Sequence, residues 1–82
     1  MMQGIMMGMP DDSLVKAALQ DYTTEHMEIA SYTALIVAAR DAGLTRVAEA
    51  CEGILRDEKA MADWLEIQLP LVVRTTLAQQ VA

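Results

Sequence analysis

The sequence predicts an all-α fold: an antiparallel hairpin of two long helices followed by a short C-terminal helix. Three observations carry this. The apolar side chains, 54% of 82 residues, are mostly Ala, Leu, Val, Ile and Met, with no Phe and one Trp. Ala, Leu and Met are strong helix formers. Apolar positions recur every three to four residues on both sides of Gly43, as one face of a helix requires. The strongest breakers, Gly43 and Pro70, stand at the expected ends of those periodic stretches.

Met1 to Pro10 reads as a Met-rich leader, and residues 11–82 as the single domain that a chain of this length allows. The leader lacks a basic start and makes a poor signal peptide. It also falls short of the ~20 apolar residues that a membrane span needs. Asp11, Asp12 and Ser13 suit a helix N-terminus. The first helix should run from about residue 12 to 41. Gly43 reads as the residue just past its end, and Thr45 as the next N-cap. The second helix should span about 46–69. Pro70, which lacks the N–H that a helix interior uses, should end it and open a short third helix over 71–81. A short loop between two long helices makes them antiparallel neighbours.

The net charge of −6 excludes the basic footprint of nucleic-acid binding and disfavours an anionic membrane surface. It suits cations. Cys51 is the lone cysteine, so no disulfide can staple the chain. That pattern places it in a reducing cytoplasm. An apolar fraction this high in so short a chain points to a homodimer or higher homo-oligomer.

A projection at about 100° per residue shows the chemistry. On the first helix Leu14, Ala18, Tyr22, Ile29, Thr33 and Ile36 share a stripe that contains Glu25. On the second, Val47, Cys51, Ile54, Leu55, Ala62, Leu65 and Leu69 share a stripe centred on Glu58. Glu25 lies 18 residues before Gly43 and Glu58 lies 15 after it. At 1.5 Å per residue their depths differ by about 4–5 Å, so a hairpin brings the carboxylates near each other. Glu28, one turn from Glu25, lies on the edge of the same stripe.

Two carboxylates taken out of water together need compensation. A metal ion, a shared proton, a basic partner or water would each serve. With a metal, Glu25, Glu28 and Glu58 are the ligands, and hard oxygen donors suit iron, manganese, magnesium or calcium better than copper, with a di-metal iron or manganese centre as the expected cofactor. Inward glutamates on facing helices build di-iron and di-manganese centres in four-helix bundles. Without a metal, Glu25 bonds a buried Tyr22 or Tyr32 from a partner chain, and Glu58 pairs with Arg40 or Arg46. The chain is then a non-enzymatic helical oligomerisation module. His26 reads as an interface or surface residue, Cys51 as core, Met27 and Met61 as packing, and Trp64, off the main stripe, as a partner contact. Ser-His-Asp and Cys-His sets, Gly-rich phosphate loops and CxxC motifs are absent.

Three stretches carry a family resemblance: Glu25-His26-Met27-Glu28-Ile29-Ala30-Ser31-Tyr32, Ala38 to Gly43, and Ile54 to Leu65 with Asp57-Glu58-Lys59-Ala60-Met61 at its centre. Over about residues 12–70 the chain resembles the C-terminal half of the YciF-like family of the ferritin-like superfamily. The resemblance implies a ferritin-like half-bundle completed by oligomerisation, a di-metal centre, and an association with bacterial stress responses. It makes Glu25, Glu28 and Glu58 the matching ligand positions. Met61 stands where a Glu-x-x-His motif would place histidine after Glu58, which is a departure from the superfamily pattern.

Overall fold

The computed structural model describes residues 12–81. The leader and its methionines lie outside the described residues. Two helices, α1 (Ser13–Asp41) and α2 (Thr45–Val81), pack together as a hairpin, and no strand occurs among the described residues.

The turn is built as the sequence predicts. Gly43 has φ +73°. Its N–H donates to the Arg40 carbonyl at 3.1 Å, and the Leu44 N–H donates to the Ala39 carbonyl at 2.8 Å. These two bonds form a Schellman motif and satisfy carbonyls that the end of α1 would otherwise leave open. A side chain at residue 43 would meet nothing within 4 Å. Gly43→Ala is therefore expected to lose only the cost of the left-handed backbone, about 1–2 kcal/mol, read as a lower thermal midpoint. The cap of α2 falls one residue earlier than expected. The Leu44 carbonyl accepts from the Ala48 N–H, and Thr45 is already helical.

Arg40 at the end of α1 donates to Glu52 of α2 at 2.7 Å. Arg40 is thus taken by Glu52 and is not a partner of Glu58. Asp12 forms an exposed pair with Lys16 at 3.4 Å but makes no side-chain cap bond.

The expected third helix is not separate. α2 runs through Pro70 to Val81 without a break. Proline removes one backbone hydrogen bond and crowds the carbonyl four residues earlier, that of Glu66. Pro70 and Glu66 are both exposed, so water can reach that carbonyl. The inward row Leu65, Leu69, Val72 and Thr76 continues across Pro70 at three- to four-residue spacing, buried or half-buried throughout. Packing along that row overrides the local helix-breaking preference.

The buried seam is also shifted from the stripe read in the sequence. On α1 it follows Ala18, Tyr22, Glu25, Ile29, Tyr32, Ile36 and Ala39. Leu14, Thr33, Val47 and Ile54, expected inside, are exposed. Met27 and Met61, expected as packing residues, are 68% and 46% exposed. Buried apolar residues are few and mostly small, among them Ala39, Ala48, Cys51, Ala62 and Leu65. No described helix is long and apolar enough to cross a membrane.

Candidate metal centre

α1 supplies Glu25 and Glu28 from adjacent turns, and α2 supplies Glu58 from the facing seam. Ligand oxygens from the three carboxylates lie within 4.8 Å of one another. All three residues are half-buried. Yet Oε2 of Glu25 and Oε2 of Glu58 are covered and have no hydrogen-bond partner. An unpaired buried oxygen costs free energy, and a carboxylate costs more than a neutral group. Within the chain, neither Tyr22, Tyr32 nor any arginine satisfies these two atoms.

The electrostatics agree with the crowding. A hydrogen bond with Glu58 and its charge hold Glu28 above the ordinary carboxylate range, with burial adding to the effect. Glu58 is also raised, first by its hydrogen bond with Glu25, then by burial; the bond with Glu28 acts in the opposite sense. Both shifts mean that the folded chain holds protons on Glu28 and Glu58 that the unfolded chain releases.

That sets the pH dependence of the metal-free protein. Because the folded values lie above the unfolded ones, the cluster's stabilising contribution is complete below the ordinary glutamate range. It is lost as pH rises through the elevated folded values. Thermal midpoints in chelator should therefore be higher near pH 5 than at pH 7. An opposite slope would mean that Glu28 and Glu58 are not held above the ordinary carboxylate range.

Next to the cluster, a cavity of about 270 Å³ is lined by Asp21, Thr24, Glu25, Met61, Trp64 and Leu65. Glu25 thus joins the cluster to an opening. Asp21 and Thr24 were not singled out in the sequence, although they precede Glu25 by about one turn and by one residue. Met61 lines this cavity in the place where histidine was sought. His26 is exposed and stacks edge-on against Tyr22 with ring centroids 4.5 Å apart, so it is not part of the cluster. Cys51 is buried and free.

The fold and the cluster define a class: a two-helix hairpin carrying three converging carboxylates near the middle of its seam. The chain belongs to the family described as a domain of unknown function (DUF892), whose model matches residues 1–78. No solved structure matches the chain.

Proposed function

We propose that this chain binds a divalent cation through Glu25, Glu28 and Glu58, as a ferritin-like protein whose helical bundle is completed by further copies. The observation that carries the reading is the pair of covered, unpartnered oxygens on Glu25 and Glu58, in a cluster spanning 4.8 Å. A cation at that point would supply the charge that both lack. An all-oxygen donor set suits iron, manganese, magnesium or calcium over softer metals. Bound through one oxygen each, the three carboxylates would leave positions for water or for ligands from another copy.

The resemblance to the YciF-like family favours iron or manganese and a cytoplasmic role in stress responses. Bound iron would supply one-electron chemistry towards dioxygen or peroxide. The chain's own residues hold the cation, and Glu25 lines the opening beside it. The test is the metal content of the untagged protein by mass spectrometry, with the oligomeric mass taken from the same chromatographic peak. Near-stoichiometric iron or manganese is the expected result. Protein that remains metal-free after incubation with ferrous and manganous salts would overturn the reading.

A further inference from the structure

Helix α2 carries two apolar rows, and α1 covers only one of them. The inward row, including Ala48, Cys51, Leu55, Ala62 and Leu65, follows a regular spacing of three and four residues. Displaced by one residue towards the N-terminus runs a second row with the same spacing: Val47, Ala50, Ile54, Asp57, Met61, Trp64, Gln68 and Leu71, apolar except at Asp57 and Gln68. Its large apolar members are 39–55% exposed. Displaced by one residue the other way, the row Glu49, Glu52, Arg56, Lys59, Asp63 and Glu66 is charged. A helix with two adjacent apolar rows and one polar flank is built for two neighbours, and among the described residues α1 is the one helix packed against it.

We propose that a second copy of this chain covers the Val47–Ile54–Met61–Trp64–Leu71 row, with its own α1 lying on α2. Three observations select that occupant. The first is exposed apolar surface: Val47, Ile54, Met61, Trp64 and Leu71 all lie open along this face, and grouped apolar exposure of this kind marks a protein contact. The second is shape. The hairpin measures 58 × 23 × 12 Å, one helix thick, while a folded domain needs two layers about a core. A groove of about 410 Å³ beside Asp57, Ala60, Met61 and Trp64 lies open on this face.

The third is self-complementarity, which a two-fold contact requires. On the same face of the hairpin, α1 presents the row Ala17, Asp21, Thr24, Glu28, Ser31, Leu35 and Ala38, mostly small but with two acids. Glu28 is level with Glu58, and Thr24 with Met61, since each pair shares a site. A two-fold axis parallel to the helices keeps every residue at its own level. It sets Met61 against Thr24 of the second copy, Ile54 against Ser31, Val47 against Ala38, and Ala50 against Leu35. Large side chains thus meet small ones along most of the contact, while Trp64 falls level with Asp21 of the second copy. The same operation brings Glu28 of one copy beside Asp57 of the other, a like-charge pair that opposes the contact and that a shared proton or a cation between the copies would relieve. The apolar part of the face does not depend on the cation reading.

Trp64 is the sole tryptophan and 55% exposed in one hairpin, so it reports on the contact directly. The experiment follows its emission and acrylamide quenching against protein concentration, with mass from light scattering, in chelator and again with manganese. The expected result is a dimer whose Trp64 emission is blue-shifted and shielded from quencher, reverting on dilution. Met61→Lys should raise the dimer dissociation constant at least about 10-fold, while Leu19→Lys on the opposite face should not. A chain that stays monomeric in both conditions, or a dimer whose Trp64 remains open to quencher, would overturn the proposal. The wild-type readout decides even if Met61→Lys fails to fold. A shielded dimer that takes up no metal would refute the cation reading and leave this one standing.

Discussion

Manganese added to the metal-free protein at about 100 times its dissociation constant is expected to raise the thermal midpoint by about 10–20 °C. A ligand bound only by the folded state stabilises it by about 2.7 kcal/mol at that excess. In a domain of this size each kcal/mol moves the midpoint by about 4–8 °C. The rise should be abolished by Glu58→Gln, which keeps the shape but removes the charge that both helices' carboxylates converge on. Without metal, the same substitution should be neutral or stabilising at pH 7, since it relieves repulsion and supplies an amide donor to Glu25. A large loss of metal-free stability in Glu58→Gln would instead show that Glu58 serves as a satisfied structural partner. The chain would then be an assembly module rather than a cation binder.

Pro70→Ala should be the most stabilising single change, by up to about 3 kcal/mol, the difference between proline and alanine in a helix interior. Alanine restores an N–H for the Glu66 carbonyl, and the site is exposed, so no repacking opposes it. Thermal denaturation in chelator gives the comparison. An unchanged or lowered midpoint would mean that the proline serves a contact outside the hairpin.

These two positions also show what the sequence disclosed. The hairpin turn was legible because only a residue tolerant of positive φ ends a helix in this way, and Gly43 stands alone between the two periodic stretches. The convergence of Glu25, Glu28 and Glu58 was legible because helix rise and periodicity fix level and face without knowledge of packing. Pro70 misled because helix breaking is a local preference, whereas the inward row through Leu65, Leu69, Val72 and Thr76 is a tertiary one. The buried stripe was read with outer residues such as Val47 and Ile54 included for a related reason. Apolar character cannot separate the row that faces α1 from a row that awaits another neighbour; only the partner helix does so.

The most direct test of the central claim is a calorimetric titration of manganese into metal-free protein at pH 7, run beside Glu58→Gln. A saturable site is expected in the wild type, weakened near pH 5 where protons compete for the carboxylates, and lost in the variant. Equal binding by both proteins, or none by either, would contradict the claim.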